Sequence, residues 1–229
     1  TIRDHFQQLD VTLSASDQEP YRLRITFRLY DEGLAFCYAL THDNAHTKAR
    51  VLSERSEFRF TGDHTAWAVY SAQGKYSRVK LSQIKNGCER PLTIAAGSST
   101  YVAVGEARLV DYARMKLGPL PNHQHALVSQ LHGAVDASLP LVTPWRTVAV
   151  GASPGELLER NYLLLNLNEP CALTDTSWIR PGKVLREVTL TTVGGKACVD
   201  FAAANGIEFV EFDAGWYGHE YSKSRMRPP

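Results

Sequence analysis

Tyr21–Tyr30 alternates without a break: Leu23, Ile25, Phe27 and Leu29 fall on one face, Arg22, Arg24, Thr26 and Arg28 on the other. A period of two sustained over that length is the pattern of a half-buried antiparallel strand and is incompatible with a helix. Asp31-Glu32-Gly33 supplies a turn, and residues 34–40 resume as a second strand, so the pair predicts a β-hairpin. Further short strands are expected at 57–60, 66–70, 92–95 and 101–110, punctuated by Gly62-Asp63, Asn86-Gly87 and Gly97-Ser98. Many strands with almost no helical periodicity predict a sandwich of packed antiparallel sheets.

Around Pro140 the pattern changes. Residues 145–150 read as a strand, after which Ser153-Pro154-Gly155-Glu156 offers an N-cap, a proline at the first helical position and a capping-box glutamate. Leu157, Leu158 and Tyr162 carry that helix to about Asn166. Beyond a polar, proline-bearing loop over 168–183, residues 184–190 read as a strand, 192–205 as a helix stopped by Gly206, and Phe209–Phe212 as another strand. Strand, helix and strand in that order predict the βαβ unit of a parallel sheet. The expected organisation is therefore a β domain over 1–140 and an α/β domain over 141–229. The second stretch falls well short of the about 250 residues that a closed (β/α)8 barrel takes, so it reads as unfinished.

Composition narrows the function classes. At 229 residues and 44% hydrophobic the chain has enough apolar material for a real core. Twenty-five Lys and Arg against twenty-four Asp and Glu leave a formal charge of +1, which gives no electrostatic footprint for nucleic acid or an anionic membrane surface. No apolar run approaches the about 18–20 residues of a transmembrane helix. Thr1–Asp10 is polar and lacks a basic-then-apolar leader pattern. Cys37, Cys88, Cys171 and Cys198 are widely spaced without a C-x-x-C pair, the pattern of free thiols.

Few residues stand out as chemistry. Asp213 ends the strand Phe209–Phe212 and opens Asp213-Ala214-Gly215-Trp216-Tyr217-Gly218. Sites of parallel α/β sheets form at the carboxyl ends of strands, so a carboxylate and two aromatics there suit sugar hydroxyls and an apolar ring face. The other reading has Asp213 capping the next turn with Trp216 in the core. Arg186 and Glu187 are charges inside a short strand; they need an internal ion-pair partner or a substrate contact. Glu106 interrupts the apolar strand around Val102 and Val104 and by itself reads as the exposed face of that strand. His123, His125 and His132 lack a third fixed ligand and read as surface histidines. Val193-Gly194-Gly195-Lys196 lacks P-loop spacing, and Gly194-Gly195 reads as the opening of a helix.

Taken together the motifs resemble glycoside hydrolase family 97. The likeness rests on Pro144-Trp145-Arg146, Leu165-Asn166-Leu167-Asn168-Glu169-Pro170, Thr176 to Lys183, Gly194-Gly195-Lys196 through Ala203, and Asp213 to Gly218. Upstream, Gly33 to Tyr38, Ser53 to Phe58 and Gly105-Glu106-Ala107 also match it in order. The resemblance implies bacterial exo-acting α-glucosidases or α-galactosidases, periplasmic or secreted, that act on an oligosaccharide or other α-glycoside. It implies an N-terminal β-super-sandwich followed by a (β/α)8 barrel, so the chain is expected to hold the sandwich and the barrel's opening βα units. It also implies a calcium ion, with Glu106 as the ligand from the N-terminal domain, and places Asp213 and Trp216 as candidate substrate contacts; Arg186, a charge within its strand, is a further candidate contact. The family's catalytic carboxylates lie on later strands, so the chain alone is expected to be inactive, partnered by the remainder of the enzyme or self-associating. The rival reading is a non-catalytic carbohydrate-binding or interaction protein derived from such an enzyme.

Overall fold

The computed structural model describes residues 3–14, 20–44 and 47–213. They form two compact units, Thr1–Pro170 and Cys171–Pro229.

In the first unit the expected hairpin is the seed of a nine-stranded sheet. Tyr21–Tyr30 pairs antiparallel with Gly33–His42 in the register Tyr30↔Gly33 and Leu29↔Leu34, so Asp31 and Glu32 alone make the turn. Gly33 is needed at this corner, because a Cβ there would lie 2.2 Å from the Val148 carbonyl oxygen of the adjoining strand. The sheet runs in the order Gln7–Ser14, Tyr21–Tyr30, Gly33–His42, Trp145–Gly151, Thr100–Ala107, Leu92–Gly97, Thr65–Ala68 and Ser77–Lys80, with Leu141–Val142 extending alongside Gly33–His42. A second sheet of Met115–Pro119, Ala126–Leu131 and Glu57–Arg59 packs over it. Between them Phe58, Leu92, Ile94, Val104, Met115, Leu117 and Leu127 form the main core. Lys48–Val51 and Val135–Ser138 add a two-stranded ribbon.

The other face of the large sheet holds a smaller core of Tyr30, Ala35, Cys37, Trp145, Leu163 and Leu167 under two short helices, Pro154–Glu159 and Tyr162–Asn166. One face of Gly33–His42, at Ala35, Cys37 and Ala39, is buried, the other is half-buried, and Ala35 and Cys37 belong to this smaller core. Burial pushes the Cys37 thiol up to about 11. Ser153 caps the first helix as expected, its Oγ accepting from the Glu156 N–H at 3.1 Å. The single helix expected as far as Asn166 breaks at Arg160–Asn161.

Two expectations need correction. The half-buried reading of Tyr21–Tyr30 put the arginine face in water, yet Thr26 and Tyr30 on that face are buried while Leu29 is 58% exposed. Aromatic rings cover the polar face: the Arg28 guanidinium carbon lies 4.2 Å from the Phe6 ring centroid and 4.9 Å from that of Trp145. Cation–π contact makes such cover favourable. The second correction concerns the division at 140/141, which falls instead after Pro170. Trp145–Gly151 pairs with Gly33–His42 on one side and Thr100–Ala107 on the other. An inner strand bonded along both edges belongs to the sandwich, not to the α/β part.

The second unit carries the predicted βαβ element. Val184–Glu187 pairs parallel with Phe209–Phe212 in the register Val184↔Phe209 to Glu187↔Phe212, and Thr192–Ala204 is the helix between them. Thr191 caps that helix, its Oγ1 accepting from the Gly194 N–H at 3.0 Å. Among the described residues no helix is long and apolar enough to cross a membrane.

Candidate functional site

The most heavily charged interior of the first unit is built around Arg146. Its strand is apolar on both sides, and its side chain is 0% exposed. A buried guanidinium must be met by carboxylates, and here two meet it. Glu54, from the loop ahead of Glu57–Arg59, takes a bidentate grip: Nε donates to Oε1 at 2.7 Å and Nη2 to Oε2 at 2.6 Å. Glu106, directly opposite Arg146 in the register with Thr100–Ala107, accepts from Nη1 through Oε2 at 2.7 Å. The fork of an arginine suits this geometry as a lysine does not. Glu54 approaches from the smaller sheet's side and Glu106 from the larger sheet, so Arg146 ties the two layers together.

The network continues outward. Arg90 donates from Nε to Glu106 Oε1 at 2.6 Å and from Nη1 to Glu89 Oε2 at 3.1 Å. Glu89 Oε1 in turn lies 3.0 Å from Lys116 Nζ and 3.3 Å from Arg114 Nη2. The Met115 N–H donates to both oxygens of Glu106, at 3.3 and 3.0 Å. Ser56 Oγ and the Tyr112 hydroxyl complete the shell of Glu54 at 2.8 and 3.3 Å. Burial would pull Arg146 down, but the bond to Glu54 and the charges of Glu54 and Glu106 outweigh it and raise its proton affinity further. Burial, then the Glu54 charge, pushes the Tyr112 hydroxyl well up, so it stays a donor. Burial would raise the Glu89 carboxyl, and Lys116, Arg114 and Arg90 outweigh it and hold it below the usual range.

Arg90 and Glu106 also line a cavity of about 600 Å³ on the first unit, together with Thr93, Arg108, Thr147 and Asn168. The residues present do not make a calcium site as they stand. Calcium takes about six to eight oxygen ligands. Both Glu106 oxygens already accept donors, two of them cationic, and no group of three or more His, Cys, Asp or Glu able to hold a metal occurs among the described residues. His123 and His132 are exposed and His125 is half-buried.

In the second unit Arg186 and Asp213 come together as an ion pair at the carboxyl end of the parallel strands. The Arg186 side chain is 59% exposed, so this is a surface pair. Glu187 is covered and takes another role: it accepts from Thr189 Oγ1 and from the N–H groups of Thr189 and Leu190, each of the latter at 2.7 Å. The Thr189 hydroxyl bond, with these two N–H groups, holds its carboxyl below the usual range. Trp216 lies outside the described residues. Sequence reasoning missed Glu54, Arg90 and Arg146 as a unit. The available signal was an arginine and a glutamate each standing alone in an apolar strand, at positions that the hairpin register alone does not pair.

The fold is thus a β-sandwich unit with a buried charge network and a separate unit carrying a parallel βαβ element. The family model described as glycosyl-hydrolase 97 N-terminal matches residues 1–170. The chain belongs to glycoside hydrolase family 97. A retaining alpha-galactosidase of Bacteroides thetaiotaomicron is 28% identical over a match covering 94% of this chain and 39% of the relative. A probable retaining alpha-galactosidase of Streptomyces bingchenggensis is 28% identical, over 86% of this chain and 32% of its own length. Among solved structures, a variant of a glycoside hydrolase family 97 enzyme from a Pseudoalteromonas species superposes with a TM-score of 0.78 at 25% identity, covering 94% of this chain and 37% of that one. These relatives are glycoside hydrolases, and the chain spans about two fifths or less of their length.

Proposed function

We propose that this chain is the N-terminal sandwich and first βα unit of an exo-acting α-galactosidase that releases terminal α-linked galactose with retention. One observation carries the reading. The match to the Bacteroides retaining alpha-galactosidase covers 94% of the chain, so it runs past Pro170 and through the βαβ unit. The exposed apolar side chains of that unit support a longer parallel sheet around it: Val188 is 74% exposed and Val193 80%, and Phe201 and Phe212 are about half uncovered. Parallel sheets are stable with both faces covered, which further strands and helices of a (β/α)8 barrel would do.

Retention requires two carboxyl groups about 5–5.5 Å apart across the scissile bond. In this reading both come from outside the described residues, and the 229-residue chain alone is inactive. Calcium assistance, and action in the periplasm or after secretion, belong to the proposal on the resemblance alone. Arg186 and Asp213 are the substrate-facing pair of the second unit in this reading.

The test is hydrolysis of aryl α-galactoside and aryl α-glucoside by the full-length protein, with the first-formed anomer read by NMR. Faster α-galactoside turnover giving α-galactose supports the reading; β-galactose as first product overturns retention. Hydrolysis by the 229-residue chain itself would overturn the assignment of the catalytic carboxylates elsewhere, and saturable sugar binding without turnover by the full-length protein would establish the non-catalytic alternative.

A further inference from the structure

We infer that the cavity beneath the two short helices of the first unit binds an amphiphilic hydroxy-carboxylate, its apolar body on the sheet and its acid group on Arg108. The cavity is written into the strand pattern. Three neighbouring strands, Leu92–Gly97, Thr100–Ala107 and Trp145–Gly151, send Leu92, Ile94, Val102, Val104 and Val148 to the main core. Their opposite face carries Thr93, Ala103, Gly105, Thr147 and Ala149, paired as Thr93↔Ala103, Ala103↔Ala149 and Gly105↔Thr147. All five line the cavity of about 600 Å³. A helix laid over so shallow a floor must lower large side chains into it to reach the packing density of an interior. Pro154–Glu159 does not: none of its residues is buried, and Leu158 is 73% exposed. In the second helix Leu163 alone is buried. Leu157, Leu158 and Leu164 instead wall an open groove whose size and apolar lining are those of a small-molecule site.

Two polar groups set the ligand's chemistry. Thr147 is 2% exposed, and its Oγ1, beside Gly105 on the floor, has no hydrogen-bond partner among the described residues. Buried hydroxyls are rarely left so, and the groove is where a partner can enter. At Arg108, Nε donates to Glu169 Oε1 at 3.1 Å, while Nη1 and Nη2 make no hydrogen bond among the described residues. Glu169 is 76% exposed, so water screens this pair and the Arg108 fork can take a second carboxylate. Arg160, also in the lining, is engaged by Glu156 and the Val150 carbonyl. Glu106, the one carboxylate of the lining, is neutralised by Arg90 and Arg146. The charge left over is that of Arg108, which selects an anion, and the leucines select an apolar body.

The probe is 3-hydroxydecanoate, compared with its neutral methyl ester, each titrated calorimetrically into the 229-residue chain below the concentration at which micelles form. One saturable site is expected, the acid binding about tenfold more tightly than the ester, the worth of one charge-assisted hydrogen bond. Arg108→Gln should erase that difference and leave the ester's affinity unchanged. Glu169→Gln removes the competing carboxylate and should tighten the acid alone. Thr147→Val should weaken both ligands a few-fold. Ala103→Leu fills the floor and should abolish binding of both, with a urea midpoint no lower than that of wild type. Should it fail to fold, Leu158→Asp replaces it: an exposed like charge on the groove wall should weaken the acid more than the ester. No saturable site, equal binding of acid and ester by wild type, or undiminished affinity in Ala103→Leu overturns the inference. Binding by the 229-residue chain that is lost in the full-length protein overturns it as well, because the rest of the enzyme would then fill the groove.

Discussion

Arg146→Met removes the centre of the network while keeping most of the volume of the aliphatic stem. Three charge-assisted hydrogen bonds disappear, at 2.7, 2.6 and 2.7 Å. Two carboxylates remain, Glu54 at 7% and Glu106 at 5% exposure, too deep for water to replace the guanidinium. Glu106 retains Arg90 and the Met115 N–H, whereas Glu54 retains only the neutral donors Ser56 and Tyr112. Removing one partner of a buried ion pair costs about 3–5 kcal/mol. Against a typical domain stability of about 5–15 kcal/mol that is a large share. At roughly 2–4 °C per kcal/mol for a domain of this size, the melting transition of the first unit should fall by about 6–20 °C.

Urea unfolding followed by tryptophan fluorescence, with Trp67 and Trp145 both inside the first unit, measures the loss directly. The slope with urea should not change, since the variant leaves the exposed area of the unfolded chain alone. Glu54→Gln/Arg146→Met should lose less than the sum of the two single changes, because the uncompensated charge has gone with its partner. A loss below about 1 kcal/mol in Arg146→Met, in the range of solvent-screened surface pairs, would refute the argument that this network is desolvated.

Acid should destabilise the first unit through Glu89. Its carboxyl is held below the usual range in the folded protein, so its contribution is fully present above the unfolded value near 4.5 and lost as pH falls through the folded one. Urea midpoints measured from pH 6 down to pH 3 should fall, and less steeply in Glu89→Gln. At the alkaline end Cys37 acts with the opposite sign: its stabilisation is present below the unfolded thiol value of 9.0 and lost as pH rises through about 11. Cys37→Ala should flatten that limb. A thiol reagent at neutral pH should label exposed Cys171 first and half-buried Cys198 after it, with Cys37 and Cys88 reacting only on unfolding. Gly194→Ala should cost about 1–3 kcal/mol in the second unit by overpacking. Its Cβ would sit 1.9 Å from Thr189 Oγ1 and 2.8 Å from Glu187 Oε1, against the turn that Glu187 caps; hydrogen exchange in Thr192–Ala204 would report it.

Elements whose signal is local were legible in the chain. The Tyr21–Tyr30 hairpin, the Ser153 cap and the βαβ order through Phe209–Phe212 all follow from period, turn residues and caps within a dozen positions. Strands made of mixed polar and apolar residues were not. Ala126–Leu131 sits beside His123 and His125 and carries Ser129 and Gln130, yet its first four residues are buried, because the large sheet covers it from a distance in sequence. The boundary error has the same origin. Residues 145–150 follow a proline-bearing stretch and precede a helix, which locally looks like the start of a βα unit. Their true partners, Phe36 and Glu106, lie far back in the chain.

The charge network shows why a candidate site is harder to read than a fold. Glu106 taken alone looks like an ordinary exposed glutamate on a strand, and Arg146 taken alone like an anomaly in an apolar run. Each makes sense only when Trp145–Gly151 is inserted between Gly33–His42 and Thr100–Ala107, a pairing set by non-local sheet topology. That insertion places Arg146 and Glu106 opposite each other, draws Glu54 in from the second layer, and leaves Arg90 as the one guanidinium touching Glu106 that still reaches the cavity. Glu106 Oε2 is held by Arg146, whose side chain is 0% exposed, and Oε1 by Arg90, which is 17% exposed. Arg146→Met should accordingly lower the unfolding midpoint far more than Arg90→Gln, because Glu54 loses its only cationic donor in the first variant whereas Glu106 keeps Arg146 in the second.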